Sequence, residues 1–441
     1  MDSPLRHKTM LKVWWRIVPV LMLGAFCSYL DKVNIGFAAL TMNEALGFSN
    51  TVFGVGAGLF AIGYALFGIP STLMVHRIGA RRWIAFIAIA WGLFSAGTAF
   101  VETPVELFSI RFLLGAAESG YNPGVIFFLS LWFPEEYRGR ALGTFMMIGP
   151  IGMLIGGPVS SVLLSWDGFL GLDGWQWLFI VEAMPTFFLA ALVFFVLADS
   201  PAHAAWLSRP ERQWLELKLK TERKRIRERQ AAPHNGVLGT FLDKRVWILA
   251  AVNVGIGTSG IGAIIFLPLV IKSMGYSAWE SGLISAIPSG AAAILLPAWG
   301  VWSDRARHRE SVVIAACAMV FVGLLGTALL LPSSWALVTL CIAMIGFYGS
   351  IVSFWTLPST FLVGASAAVG IAFINIAGNV GMFTGPSIVG WLSDISGTYR
   401  AGLACLAVVS SISALILALQ LWHRHSQARL NQSKRAAEPL S

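Results

Sequence analysis

Long apolar runs recur along the whole chain, and they constrain its fold more than any other feature. A helix needs about 20 apolar residues to cross the hydrocarbon core of a bilayer. Such runs occur at residues 17–40, 52–75, 83–101, 105–129, 140–165, 175–197, 246–271, 280–301, 311–331, 334–357, 366–392 and 399–422. Lipid requires every backbone polar group to be paired within its segment, and the short alternating pattern of a barrel is missing. The sequence therefore predicts an all-α, polytopic membrane protein with twelve transmembrane helices.

Composition and charge support a membrane protein and argue against nucleic-acid binding. Hydrophobic residues make up 56% of the 441 positions, and charged residues only 12%. The net charge of +9 comes from basic residues that collect in short loops beside the runs, as expected of cytoplasmic loops. They precede the first run and follow the second and fourth runs, at Arg6, Lys8, Lys12, Arg16, Arg77, Arg81, Arg82, Arg138 and Arg140. This distribution places both termini in the cytoplasm.

One long polar stretch divides the runs into two groups of six. The predicted domains are residues 1–197, a cytoplasmic linker at 198–245, a second bundle at 246–425 and a tail at 426–441. Within the linker, Ser208 and Glu211 predict the start of a basic helix that runs through Arg229. We interpret it as a solvated tether rather than as a lipid-binding helix. The two groups also carry similar glycine and basic motifs in loops, which is typical of alternating-access transporters.

Two pairs of ionisable side chains stand out inside the apolar runs. Asp31 and Lys32 lie in the first run, and Arg111 and Glu118 lie in the fourth. Each such group costs roughly 2.5–3.5 kcal/mol to place at mid-membrane on insertion scales. Arg111 and Glu118 share one face of a continuous predicted helix, with Asn122 one turn further along it. These residues are candidates for a functional site, although Arg111 could also serve only to neutralise Glu118.

Histidine and cysteine positions argue against an enzyme. The seven histidines lie in loops or at the ends of runs, and the four cysteines lie inside apolar runs without ligand spacing. An intramembrane hydrolase would need a nucleophile and base, or a metal cluster, within the runs. We therefore expect no enzyme activity, no cofactor and no metal site.

Several motifs resemble those of a known transporter family. They comprise Tyr29, Asp31, Lys32, Asn34 and Gly36 in the first run, Arg111, Glu118, Pro123 and Gly124 in the fourth, Gly174 and Trp177 before the sixth, and Phe354, Trp355 and Pro358 in the tenth. With the twelve runs and the loop around Asp304 and Arg305, the chain resembles the major facilitator superfamily and, within it, the anion:cation symporters. Members of that family import organic anions into bacteria, which implies a multi-pass protein of the bacterial inner membrane.

The resemblance implies a monomeric, proton-coupled symporter for an organic anion such as a sugar acid, a dicarboxylate like tartrate, or an aromatic carboxylate. Sodium stays open as the coupling ion. A drug/proton antiporter of the same superfamily and a non-transporting membrane sensor are the alternatives. Two departures from the family pattern stand out, since Lys32 replaces a common arginine and His76 replaces a loop acid.

The expected roles follow from the charges. A carboxylate that crosses the membrane needs a fixed cation, and Arg111 can bind one through two parallel hydrogen bonds. Asp31 and Glu118 are the expected proton carriers. The other expected substrate contacts are Lys32, Tyr29, Tyr64, Asn122, Asn375, Asn379 and Trp355, and the expected gating residues are Arg77, Arg81, Asp304 and Arg305.

Overall fold

The described chain is built from helices. The computed structural model describes residues 3–146, 148–230, 237–306, 308–358, 361–362 and 365–437, and no strand occurs in these ranges. The helices are α1 Ser3–Leu46, α2 Asn50–Ile78, α3 Ala80–Gly97, α4 Pro104–Glu118, α5 Tyr121–Trp132, α6 Glu135–Met146, α7 Ile148–Leu164, α8 Gly174–Val196, α9 Arg209–Gln230, α10 Val237–Leu242, α11 Lys244–Lys272, α12 Ala278–Ile284, α13 Ala286–Arg305, α14 Arg309–Leu330, α15 Ala336–Phe354, α16 Ala365–Ser396 and α17 Arg400–Ala437. The all-α prediction is confirmed.

The helices account for every predicted membrane span. Ten helical segments in the described part of the chain are long and apolar enough to cross a bilayer. The fourth predicted span is formed by α4 followed by α5, and the fifth by α6 followed by α7. The structure therefore has the twelve-helix architecture that the apolar runs predict.

The fourth span differs from its prediction because it is not one helix. α4 ends at Glu118, α5 begins at Tyr121, and a short turn at Ser119 and Gly120 separates them. Pro123 explains the interruption, since proline has no N–H to donate to the carbonyl of Ser119 and its ring crowds that carbonyl. The prediction of a continuous helix through Arg111, Glu118 and Asn122 is wrong at this point.

The chain forms two compact units. The first consists of residues 1–233 and 264–290, and the second of residues 234–263 and 291–441. Within the first unit, α1 packs against α7 and α8, α2 packs against α4, and α3 packs against α8. Within the second unit, α14 packs against α15 and α17.

Two glycines allow α2 and α4 to pack closely. A Cβ atom at Gly63 would lie 2.1 Å from the carbonyl oxygen of Phe112, and one at Gly115 would lie 2.0 Å from that of Phe60. Both distances are far below van der Waals contact, so only glycine fits. This close approach matters because α4 carries Arg111 and Glu118.

The linker helix is present as predicted, but it is not simply solvated. α9 buries Leu215 and Leu219, together with the carboxylate of Glu211. The Nζ atom of Lys12 donates to both carboxylate oxygens of Glu211, at 2.7 and 2.9 Å. Burial opposes ionisation of Glu211, but the hydrogen bonds from Lys12 and Ser208 outweigh it and lower the pKa. The tether interpretation is therefore wrong for the first half of α9, which is docked on α1.

Candidate functional site

The middle of α1 supplies the first side chains of the candidate site. Ser28, Asp31 and Lys32 lie within about one turn of each other on this continuous helix. Ser28 and Asp31 are buried, whereas the Lys32 side chain keeps 23% of its surface exposed. Lys32 is therefore the accessible charge of the α1 cluster.

Lys32 pairs with Glu118 of α4. The Nζ atom of Lys32 donates to Oε1 of Glu118, which is fully buried. Ser28 supports the pair, because its hydroxyl donates to the same carboxylate oxygen and accepts from Lys32 Nζ at 2.8 Å. The other carboxylate oxygen, Oε2, has no hydrogen-bond partner among the described residues. The pair holds a fixed cation and an acid in direct contact within the membrane.

Arg111 lies in the same region but forms no ion pair with an acid among the described residues. Its side chain is 1% exposed, and its Nη1 donates to the backbone carbonyl of Asp31 at 3.2 Å. Its Nε has no hydrogen-bond partner in the described part of the chain. The hypothesis that Arg111 serves to neutralise Glu118 gains no support, because Lys32 takes that position.

Aromatic rings on α2 lie beside both cations. The guanidinium carbon of Arg111 is 5.2 Å from the ring centroid of Phe60, and Lys32 Nζ is 5.5 Å from the centroids of Phe60 and Tyr64. Cation–π attraction at such distances is worth about 0.5–2 kcal/mol, with the larger values for desolvated pairs. The rings thus help to retain positive charge where little water is available.

Asp31 faces away from Lys32 and towards α3. Its carboxylate accepts hydrogen bonds from Trp91 Nε1 and Ser95 Oγ, and from Asn34 Nδ2 at 3.3 Å. Trp91 and Ser95 are one helical turn apart, so α3 presents both donors on the same face. These three hydrogen-bond donors can stabilise a negative charge on the buried Asp31 carboxylate.

Glu182 of α8 is a buried acid that the sequence analysis overlooked. It is 3% exposed and accepts a hydrogen bond from Ser160 Oγ of α7 at 2.7 Å. The signal was available, since Glu182 interrupts the sixth apolar run just as Asp31 interrupts the first. Glu182 was not selected because no neighbouring residue in the sequence forms a recognisable motif with it.

The remaining candidates of the first unit lie near the charged cluster or beside its helices. Asn122 Nδ2 donates to the hydroxyl of Tyr64 at 3.1 Å, which joins α5 to α2. Tyr29 is half-buried, and its ring lies against Gly149 and Gly152 of α7. Tyr64 therefore connects the aromatic surface beside Lys32 to Asn122, whereas Tyr29 faces another helix.

The candidates of the second unit form a smaller group. Asn379 is buried, and its amide donates to the backbone carbonyl of Asn375 at 3.1 Å and to the Asn375 side chain at 3.3 Å. Asn375 itself is exposed, and Trp355 is half-buried at the end of α15. The structure brings the two asparagines together on α16.

The candidate gating residues lie at helix ends. Arg77, Asp304 and Arg305 are exposed. Arg81 donates to the carbonyl of Leu197 at 3.3 Å, and its Nε is 3.9 Å from Asp199 Oδ2. Asp199 thus supplies an acid to the first-half loop, where His76 replaces the usual one. A half-exposed pair at this distance contributes about 0–1 kcal/mol.

The site offers charges and aromatic surface rather than metal ligands. Across the described ranges, no group of three or more histidine, cysteine, aspartate or glutamate side chains is arranged to hold a metal ion. Two cations, two acids and a Phe60–Tyr64 surface can attract, orient and exchange charged groups. This chemistry suits the binding and release of an ion.

Twelve membrane-spanning helices with ionisable groups buried between them define a polytopic transporter. The model of the family described as Major Facilitator Superfamily matches residues 21–386. The chain belongs to this superfamily, which confirms the family predicted from the motifs.

Comparisons with individual proteins agree with this assignment. The chain is 43% identical over 420 residues to an Agrobacterium vitis protein named "Putative tartrate transporter", covering 95% of this chain and 96% of the relative. It is 37% identical to a "Quinolone resistance transporter" of Acinetobacter baumannii, covering 90% and 91% of the two chains. The crystal structure of a D-xylose-proton symporter has the same fold, with a TM-score of 0.72 at 16% identity over 91% of this chain and 97% of that one.

Proposed function

We propose that this protein is a proton-coupled symporter that imports an organic anion across a bacterial inner membrane by alternating access. Both termini lie in the cytoplasm in this proposal. The observation that carries it is the contact between Lys32 and the buried carboxylate of Glu118, with Arg111 beside the same aromatic surface. An anion carrier needs a fixed cation inside the membrane, and a coupled carrier needs an acid that competes for that cation.

The competition gives a simple coupling mechanism. While Glu118 is ionised, its carboxylate occupies Lys32 and opposes the binding of a second carboxylate there. A proton on Glu118 removes this negative charge and weakens the ion pair, so that Lys32 can bind an incoming anion. Proton binding and anion binding then favour each other, and the two move together.

The two cations take different roles in this mechanism. Lys32 is the partly exposed one, so it makes first contact with the substrate. Arg111 is fully buried and holds an Nε donor without a partner among the described residues, which suits a second, directional contact. Tyr29, Tyr64, Asn122, Asn375, Asn379 and Trp355 remain the proposed contacts to the rest of the substrate, and Arg77, Arg81, Asp304 and Arg305 the proposed gating residues.

The substrate class is an organic anion, with tartrate as the first compound to test because of the relative named for its transport. A drug/proton antiporter is the second candidate, and the relative named for quinolone resistance favours it. The two buried cations argue against cationic cargo, because a positive substrate would meet like charge in the site.

Uptake by cells that express single variants tests the proposal. Arg111→Ala should abolish uptake while the protein reaches the membrane in normal amount, and Arg111→Lys should restore little because lysine lacks the bidentate fork. Glu118→Gln should lose proton-driven accumulation and keep counterflow exchange of labelled substrate. Normal uptake by Arg111→Ala would remove the anchor role, and equal loss of both activities in Glu118→Gln would remove the coupling role.

A further inference from the structure

The membrane-embedded charges of the first unit do not balance. Inside its apolar runs, away from the ends of each run, this unit contains two basic residues, Lys32 and Arg111, and three acids, Asp31, Glu118 and Glu182. Lys32 neutralises Glu118, and Arg111 contacts the backbone carbonyl of Asp31. Glu182 has no basic residue within 4.0 Å among the described residues. An isolated carboxylate would be very costly here, because its charge is stabilised neither by water nor by a cation.

The hydrogen bonds around Glu182 also leave polar atoms without a partner. Ser160 donates to one carboxylate oxygen, whereas the other, Oε2, has no partner in the described part of the molecule. The Asn34 side chain lies next to this carboxyl group. Its own Oδ1 also lacks a donor, while its Nδ2 is used by Asp31. A neutral carboxylic acid is a hydrogen-bond donor, so a proton on Oε2 would let Glu182 donate to a neighbouring acceptor such as Asn34 Oδ1.

We infer that Glu182 holds a proton in this conformation and serves, in addition to the expected carriers Asp31 and Glu118, as a further proton carrier of the transport cycle. The neighbouring acid is different, because the three donors around Asp31 favour its ionised form. Two acids in unlike environments can therefore take unlike protonation states. The carrier role rests on the proposed proton coupling, whereas the protonation itself does not.

The titratable groups that face Glu182 are few. α1 contributes the carboxyl group of Asp31 and the thiol of Cys27. The thiol lies beside Thr186, which is one turn further along α8 than Glu182. The segments of α3 and α7 that pack on α8 contribute no ionisable side chain within the membrane. Within the described part of the chain, Asp31 alone places a charge near Glu182, and this like charge opposes ionisation.

The step itself is a proton transfer to and from Glu182. On one side of the membrane a hydronium ion gives its proton to Oε2 and leaves as water, and on the other side the Oε2–H group gives its proton to a water molecule, which leaves as hydronium. Ser160 keeps its hydrogen bond in both states, because its hydroxyl can donate to a carboxylate or to the carbonyl oxygen of a carboxylic acid. Each transfer thus breaks one O–H bond as it forms another, and no redox change occurs.

Infrared difference spectroscopy of the purified full chain tests the protonation directly. A C=O stretching band of a protonated carboxylic acid should be present at pH 7 in the native protein and absent in Glu182→Gln. The matched control is Glu44→Gln, which changes an exposed acid at the end of α1 and should keep the band. A native protein without the band, or a Glu182→Gln variant that retains it, would overturn the inference. Loss of the band on adding sodium chloride but not choline chloride would also overturn it, because the site would then bind sodium.

Transport by the same variants tests the carrier role. In proteoliposomes with a one-unit pH gradient, loss of one coupled proton should lower the accumulation ratio by about ten-fold, since one pH unit corresponds to that factor. Glu182→Gln should show this loss and keep substrate counterflow, after size-exclusion chromatography has shown that it is folded. Unchanged accumulation alongside the lost band would mean a permanent, structural proton and would refute the carrier role. If the native protein itself shows no proton-driven accumulation, the proposed symport fails, while the band still reports on Glu182.

Discussion

Glu118 depends on Lys32 more than Lys32 depends on Glu118. The carboxylate is fully buried, whereas 23% of the lysine side chain is exposed and can be reached by water. Removing one partner of a buried ion pair leaves an uncompensated charge, at a cost of about 3–5 kcal/mol, whereas removing both is often nearly neutral. The two side chains therefore form a unit whose energetics can be separated by a double-mutant cycle.

The stability of single and double variants follows from this asymmetry. Lys32→Met should lower the free energy of unfolding by about 3 kcal/mol at pH 8, the lower end of the range because Lys32 is partly exposed. Lys32→Met combined with Glu118→Gln should recover most of that loss. Thermal unfolding of the detergent-purified proteins provides the measurement, with Glu118→Gln alone as the third corner of the cycle. Additive losses in the double variant would show that the pair is not coupled.

At this scale the sequence reveals which residues are unusual but not which of them meet. Asp31, Lys32, Arg111 and Glu118 stand out because they are charges inside apolar runs. The Lys32–Glu118 contact joins residues on separate helices, whereas the sequence offered only Arg111, as an alternative to its anchor role, as a partner for Glu118. Such a pairing depends on how α1 and α4 pack, which no local pattern encodes.

At the scale of helices, the contact between α2 and α4 positions the site. α4 carries Arg111 and Glu118, and α2 carries Phe60 and Tyr64 of the aromatic surface. Their separation is set by Gly63 and Gly115, where any Cβ would collide with backbone. A small displacement of either helix would therefore move the cations relative to the rings.

Alanine substitutions at two glycines of α2 test this dependence. Gly63→Ala places a Cβ 2.1 Å from the carbonyl oxygen of Phe112, so it should push the helices apart and reduce uptake at least about ten-fold, the equivalent of 1.4 kcal/mol. Gly68→Ala, on the same helix, meets nothing within 4 Å and should leave uptake unchanged. Initial uptake rates, corrected for the amount of protein in the membrane, compare the two. Equal activity of both variants would refute the spacing argument.

The docking of α9 gives a prediction about pH. The pKa of Glu211 is lowered below the ordinary 4.5 in the folded protein, so this carboxylate stabilises docking at higher pH. That contribution is complete above the ordinary value and is lost as the pH falls through the lowered one. Hydrogen exchange in α9, corrected for intrinsic rates, should show constant protection from pH 8 to about 5 and loss at lower pH.

Glu211→Gln serves as the variant for this experiment. It should show weaker protection of α9 at neutral pH, because Lys12 loses its charged partner, and little further loss on acidification. Exchange in α14 provides an internal control from the second unit. Persistence of the same pH dependence in Glu211→Gln would mean that another group controls docking.

The positions of the helices could largely be predicted from the sequence. The break within the fourth span and the helix against which α9 packs were not predicted. The twelve runs identify the spans because lipid imposes a minimum apolar length. The interruption at Ser119 could have been predicted from Pro123, which lies four residues further on, but apolarity continues across it and hides it. The docking of α9 was missed because its basic composition conceals the two buried leucines, Leu215 and Leu219.

At the scale of the whole molecule, the compact units do not follow the halves of the sequence. Residues 264–290 belong to the same unit as the first six spans. Within that unit, Phe53 contacts Phe266 with ring centroids 5.2 Å apart, and Lys272 donates to the carbonyl of Leu40 at 2.6 Å. Alternating access would require such contacts to break and re-form. The proposed transport cycle therefore involves residues from both halves of the sequence.

Proton movement driven by an anion gradient tests the central claim most directly. The purified protein is placed in liposomes that contain a trapped pH dye, and tartrate and then sugar acids and aromatic carboxylates are added outside. We predict that the lumen acidifies with at least one of these anions, and that Arg111→Ala liposomes show no change. Alkalinisation of the lumen on adding an anion would indicate antiport, and acidification that persists in Arg111→Ala would contradict the proposed site.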